Sequence, residues 1–238
     1  MSALRCLAYN VNGGHPDKVE PLAGVIKEVN ADIVALTEAD HAPAIAALAE
    51  RLQMHYIWER GSGDRHVATL SRLALPETEL TIYNVHLLPY LLLPFEVRRW
   101  QAVGKLLQVI RNAPPGPHLI VGDLNAIGPG DHVLHRRNPA RMRRVMALQL
   151  NATFRFAVPR LLRAGYVDCY RTLHPREDGF TFLTGNPTTR YDYMLADPHM
   201  AGALCACHVV ENFAGVEALS DHYPLLAEFE LDDVKREA

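Results

Sequence analysis

Leu119-Ile120-Val121-Gly122-Asp123-Leu124-Asn125 is the stretch on which the reading of this chain turns: a short apolar run passes through a glycine into a carboxylate and an amide two positions apart. In a strand, positions i and i+2 share a face, so Asp123 and Asn125 could address one ligand together. The carboxylate can orient or deprotonate water, and the amide offers both donors and an acceptor to a phosphate oxygen. An Asp-x-Asn after a strand is also ordinary turn chemistry. What lifts it above a turn is that strand ends of the same kind recur along the chain.

Toward the N-terminus, Leu4–Tyr9 reads as a strand ending in Asn10 and Asn12. Pro16 to Val29 follows, with Leu22, Val25, Ile26 and Val29 at the spacing of an amphipathic helix. Ile33–Thr37 is a buried-type strand that delivers Glu38, and a second helix runs from about Pro43 to Leu52. Strands are expected at Tyr56–Glu59, Val67–Ser71 and Glu79–Val85, the last delivering Asn84 and His86, before a helix over Glu96 to Ile110. Toward the C-terminus, Arg141 to Leu150 and Pro159 to Arg163 read as helices. Strands follow at Phe180–Leu183, Tyr191–Leu195, Ala206–Val210 and Leu225–Leu231. These strands are too numerous for one alternating sheet. The expected fold is an α/β sandwich in four layers, two packed, mainly antiparallel sheets flanked by helices.

The chain has 238 residues, 49% hydrophobic and 21% charged, with no Pro/Gly/Ser-rich linker. One domain spanning 1–238 is expected, with disorder confined to Asp232–Ala238. The greasiest run, Leu87–Phe95, contains Pro89 and Pro94 and falls short of the roughly 20 residues that cross a bilayer. The opening residues lack a basic segment followed by an apolar one, and the four cysteines are too scattered for a disulfide framework. A cytoplasmic location follows. A net charge of −3 excludes a surface that attracts polyanions everywhere. Between Asp131 and Asp168, however, no acidic residue occurs, while Arg136, Arg137, Arg141, Arg143 and Arg144 all do, followed by Arg155, Arg160 and Arg163. That local excess suits contact with phosphates, or else forms the solvated face of two helices.

The polar residues at strand ends are Asn10, Asn12, Glu38, His86, Asp123, Asn125, Asp221 and His222, and Asp192 begins inside a strand between two tyrosines. A carboxylate there is costly to bury without a partner, and a histidine is the natural one. Several carboxylates gathered in one cavity would repel by roughly 4 kcal/mol per pair at about 4 Å and an effective dielectric of about 20. A compensating cation is expected, and a set of hard oxygens without thiolate selects Mg²⁺ or Mn²⁺.

Six segments resemble the endonuclease/exonuclease/phosphatase superfamily of deoxyribonuclease I-like phosphoesterases. They are Tyr9-Asn10-Val11-Asn12-Gly13, Ala35-Leu36-Thr37-Glu38, Asn84-Val85-His86-Leu87, Gly122-Asp123-Leu124-Asn125, Arg190-Tyr191-Asp192-Tyr193 and Ser220-Asp221-His222-Tyr223-Pro224, in the superfamily's order from Leu7 to Leu226. The resemblance implies that Glu38 is the principal Mg²⁺ ligand, with Asn10, Asn12 and Asp221 near the ion. It further implies that Asp123 positions or deprotonates the attacking water, Asn125 holds the phosphate, His86 hydrogen-bonds the phosphate or assists the leaving group, and Asp192 orients His222 as general base or electrostatic partner of the phosphate. Asn12 stands where several members carry Asp, and Glu96-Val97-Arg98 stands where the abasic-site endonucleases carry a phosphate-contacting tyrosine. The leading expectation is a Mg²⁺-dependent phosphodiesterase, cleaving nucleic acid held by the arginine block. The alternatives are a phosphoesterase for a phospholipid or small phosphorylated molecule, like the sphingomyelinases or inositol phosphatases, and a non-catalytic binding module.

Overall fold

The computed structural model describes residues 3–61, 65–73, 80–90, 92–213 and 215–231. Glu79, Leu91 and the tail Asp232–Ala238, on which expectations were placed, lie outside them.

In the first half, β1 (Leu4–Asn10) leads through a 3-10 turn at Pro16–Lys18 into α1 (Val19–Glu28), then β2 (Ile33–Thr37) and α2 (Ala42–Leu52). Two antiparallel strands follow, β3 (His55–Arg60) and β4 (His66–Ser71). Then come β5 (Thr81–Asn84), α3 (Leu93–Asn112), β6 (His118–Asp123), α4 (Ala140–Ala147) and α5 (Ala157–Arg163). The chain closes through β7 (Val167–Asp168), α6 (Cys169–Leu173), β8 (Asp192–Ala196), α7 (Pro198–Ala203), β9 (Leu204–Val209), α8 (Val216–Leu219) and β10 (Leu225–Phe229).

Among the described residues the strands form two sheets, ordered β3-β4-β2-β1-β10-β9 and β5-β6-β8-β7. Only β1–β2 and β5–β6 pair in parallel, so both sheets are mixed and mainly antiparallel. Alternation along β1 explains the layering. Cys6 and Ala8 face inward and pack with Leu119, Val121, Met194 and Ala196 of the second sheet. Leu7 and Tyr9 face outward, onto Leu22 and Ile26 of α1 and Ile45 and Leu48 of α2. On the far side, Ile120 and Leu195 meet Val103 and Leu107 of α3 and Val158 and Leu161 of α5. The result is the four-layer α/β sandwich that the sequence predicts, each buried Leu or Ile contributing about 1.5–3 kcal/mol.

Three elements depart from expectation. Phe180–Leu183 is not a strand: only Phe182 bridges, to Thr189 and His222. Turns at Gly179 (φ +59°) and Gly185 (φ +75°) bound this segment too closely for a ladder. The helix expected over Arg141–Leu150 stops at Ala147, because Leu150 and Asn151 take left-handed φ of 55° and 57°. Pro16 to Val29 is split, the proline opening a 3-10 turn before α1.

Two buried side chains brace the loop that precedes α3. Glu96 accepts from the backbone N–H of Phe156 (2.6 Å) and Ala157 (2.8 Å), placing its charge at the start of α5. It also pairs with Arg99 at 2.8 Å, and Arg99 donates to the carbonyls of Leu88 and Tyr90, each at 2.7 Å. The apolar loop is thereby fixed beside the ends of β1, β2 and β6.

Candidate active site

Asn10 closes β1, Glu38 follows β2 and Asp123 closes β6, so three strand ends from two sheets meet at one edge of the sandwich. The Asn10 amide joins them. Its Nδ2 donates to Glu38 Oε1 (3.2 Å) and to Asp123 Oδ2 (3.0 Å), while its Oδ1 accepts from the Asn12 N–H (3.0 Å). Asn12 itself is exposed and reaches the cluster through that backbone bond. Asn12, Glu38 and Asn125 hold left-handed φ of 45°, 51° and 46°, a conformation uncommon in non-glycine residues and concentrated at functional sites.

The second half of the cluster comes from the C-terminal strands. His222 Nδ1 lies 2.7 Å from Asp192 Oδ2, and its Nε2 lies 3.8 Å from Asp123 Oδ2. Ser220 holds this corner in place: its Oγ donates to the Asn10 carbonyl (2.6 Å) and accepts from the His222 N–H (3.1 Å). Thr181 Oγ1 accepts the N–H groups of Tyr191 and Asp192. His86 enters from the other side, its Nε2 3.7 Å from Asp123 Oδ2 and 3.9 Å from Glu38 Oε1. That nitrogen is buried and has no hydrogen-bond partner among the described residues. Asn125 donates its N–H to Asp123 Oδ1 (2.8 Å) and its side-chain amide to the Leu87 carbonyl (3.1 Å).

All of this opens into a cleft of about 470 Å³ whose walls include Glu38, Asp123, Asn125, Asp221 and His222. The opposite walls are apolar, with Tyr90 and Leu92 on one side and Met142, Val145 and Met146 of α4 on the other. Arg141 stands among them, the member of the expected arginine block that lines the cleft. Arg136, Arg137, Arg143, Arg144 and Arg163 are exposed. Arg155 bonds to the carbonyls of Gly128 and Asp131, and Arg160 stacks on Trp100 at 4.1 Å, so these two serve the fold.

The charges follow from burial and neighbours. Burial alone would depress His222, but Asp192, Asp123 and Asp221 outweigh it and lift the imidazole to about 10. Burial pushes Asp123 up to about 7 despite the opposing His222 charge. Glu38 is raised as well, again by burial, although Asn10, Arg65 and His222 oppose the shift. His86 falls to about 4 because it is desolvated and faces the cations Arg65 and His222. The site therefore holds one imidazolium, one neutral imidazole and two carboxyls that burial disfavours as anions.

A divalent cation fits this donor set. Glu38 and Asp123 place carboxylate oxygens around a single amide nitrogen, and burial raises the affinity of both for a proton, so a cation seated between them would offset the cost of holding them ionised. Asp123, Asp192 and His222 also bring one donor atom each within 4.8 Å of one another. The imidazole there is already engaged by Asp192 and protonated, so it acts as that trio's own cation and leaves Glu38 as the better anchor.

Sequence reasoning missed several contributors. Arg65 forms an ion pair with Glu38 and lies 3.7 Å from Asp40. A buried network around Arg190 ties it to Asp168 (2.6 Å) and Asp131 (2.9 Å), and Asp131 in turn accepts from Tyr193 and from the Gly128 N–H. This network fixes the segment that follows Asn125 against the start of β8. Of this network, Arg190 and Tyr193 stand in one of the six motif segments, whereas nothing in the sequence joins Asp131 and Asp168 to them.

The profile of the Endonuclease/Exonuclease/phosphatase family matches residues 7–222. The chain belongs to that family. Its enzymes are hydrolases acting on phosphoric ester bonds. No curated protein matches the chain in sequence. Among solved structures, an AP endonuclease from Archaeoglobus fulgidus is 20% identical with a TM-score of 0.73, over 96% of this chain and 100% of that one. The 3' phosphatase NExo from Neisseria, bound to a product DNA hairpin, is 21% identical with a TM-score of 0.74 over the same shares. A 3'-5' exonuclease (NExo) from Neisseria meningitidis gives 21% and 0.72, again over 96% and 100%. At these identities the likeness to the solved structures is one of fold. All six motif segments of this family member fall in or beside the cluster around Asp123.

Proposed function

We propose that this chain, taken as one catalytic unit over 1–238, is a phosphodiesterase dependent on Mg²⁺, with Mn²⁺ able to substitute. The observation that carries the reading is the junction of Glu38, Asn10 and Asp123 with the Asp192–His222 pair at the mouth of one cleft. Glu38 and Asp221 would hold the ion with help from Asn10 and Asn12. The bound metal supplies positive charge to the phosphate oxygens as negative charge builds on them.

The residues divide the remaining work. Asp123, raised to about 7, is matched to taking a proton from water near neutral pH. The imidazolium of His222 donates from Nε2 to a phosphate oxygen, and Asp192 fixes its ring. Neutral His86 and the second amide hydrogen of Asn125 complete the phosphate contacts. A non-catalytic module would have no use for a carboxylate and an imidazolium poised in this way.

Two substrate readings each have an observation behind them. Exposed Arg136, Arg137, Arg143 and Arg144, with Arg141 in the cleft, favour a nucleic-acid backbone, and one similar structure named above, the 3' phosphatase NExo, is bound to a product DNA hairpin. The apolar walls of the cleft favour a phosphoester with an apolar portion. Four free cysteines, three of them buried, fit a reducing cytoplasm.

The test is a Mg²⁺/Mn²⁺ activity panel over DNA, RNA, phospholipid, inositol phosphates and bis-p-nitrophenyl phosphate. His222→Ala and Asp123→Asn should each lower kcat about 100- to 10,000-fold. Parental rates in His222→Ala would refute the mechanism. A polyanion substrate should show a log–log salt slope of about −0.9 per neutralised phosphate, and a small one a shallow slope.

A further inference from the structure

We propose that the rim of the cleft is a docking face for an anionic lipid bilayer. In the turn after α4, Leu148 is 82% exposed and Leu150 is 91% exposed. Across the cleft Tyr90 (59%) and Leu93 (41%) also face solvent. These are not scattered residues. The Leu93 N–H bonds to Gln149 Oε1 at 3.3 Å, joining the start of α3 to the leucine-bearing turn, and Arg99 holds the Tyr90 carbonyl from below. The ends of α3 and α4 therefore present one apolar crest.

Exposed positive charge precedes the leucines of that crest along the chain. Arg141, Arg143 and Arg144 are exposed on α4, Arg143 also donating to the Asn138 carbonyl, Arg136 and Arg137 precede the helix, and no acidic residue lies between Asp131 and Asp168. Large apolar side chains beside guanidinium groups are what an element lying in the headgroup region of an anionic membrane requires, the arginines meeting phosphates and the leucines entering the acyl boundary. A nucleic acid would engage the arginines and leave Leu148 and Leu150 in water. Among the described residues no helix is long and apolar enough to cross a membrane, so the association is peripheral.

The crest is continuous with the cleft, since Tyr90 and α4 belong to both. Docking would hold the cleft against the membrane surface, which favours the second substrate reading above. The docking itself does not rest on the site being catalytic.

Sedimentation of the full chain with phosphatidylcholine vesicles, with and without phosphatidylserine, tests the proposal. The parent should bind the phosphatidylserine vesicles and release them as salt rises. Leu148→Asp/Leu150→Asp should weaken binding about tenfold or more, while its hydrolysis of bis-p-nitrophenyl phosphate stays at the parental rate. Arg143→Glu/Arg144→Glu should weaken binding too. No binding by the parent, or binding indifferent to the leucine pair, overturns the proposal. So does a leucine variant that loses affinity for duplex DNA while the parent ignores vesicles. Vesicle binding by a parent with no phosphodiesterase turnover supports the surface and sinks the catalytic reading.

Discussion

His222 and His86 approach the same carboxylate oxygen, Asp123 Oδ2, at 3.8 and 3.7 Å, yet their environments drive them to opposite charge states. His222 has Asp192 at its back, whereas at His86 burial and the cations Arg65 and His222 outweigh the pull of Asp192 and Asp40. In metal-free protein, nitrogen NMR of the imidazoles should find His222 protonated until about pH 10 and His86 neutral down to about pH 4. The effect on stability follows in sign. His222, raised above the roughly 6.5 of a free histidine, contributes fully below that pH and loses its contribution as pH climbs through about 10. His86 acts oppositely, its penalty growing as pH falls from about 6.5 toward about 4. Urea titrations of His222→Gln should lose the alkaline limb, and a parental curve in that variant would refute the assignment. Asp192 was legible in the sequence because a carboxylate inside an apolar strand demands a partner. Ser220, Thr181 and Arg65 were not, because their hydroxyl and guanidinium groups follow no periodicity and gain meaning only when distant segments meet.

At the scale of elements, Gly122 shows why the central strand carries a glycine just before its carboxylate. Its φ is +124°, and a Cβ there would sit 2.3 Å from the Val85 carbonyl. That close approach lets the segment after β5 run alongside β6, with the Leu87 N–H donating to the Asp123 carbonyl at 2.9 Å, and so carries His86 to the site. Gly122→Ala should lose about 1–3 kcal/mol in urea unfolding and lower activity with it. Unchanged stability would mean that the contact relaxes freely. Most strands and long helices were legible from period and composition. The short α6, α7 and α8 were not, for they are too brief to show a stripe. The supposed strand at Phe180–Leu183 failed because alternation over four residues carries no information about the turns that flank it.

For the whole molecule, the four layers could be argued from strand count and interrupting helices, but which strands neighbour one another could not. The sheet order places β1 between β2 and β10, so the first and last strands pair, Leu4 against Phe229. A divalent ion that binds only this assembled state should raise the melting temperature: at 100 times its Kd it adds about 2.7 kcal/mol. Mg²⁺ added to chelator-treated protein should raise Tm in the parent and leave Glu38→Gln unmoved. An equal rise in both would move the ion away from Glu38.

The pairing of β1 with β10 also bears on synthesis. Asn10 leaves the ribosome early, whereas His222 and the strand that seats it emerge more than two hundred residues later. A nascent chain whose last strand is still held in the exit tunnel therefore lacks the Asp192–His222 side of the cleft, and the two walls can meet only once segments more than two hundred residues apart have both been made.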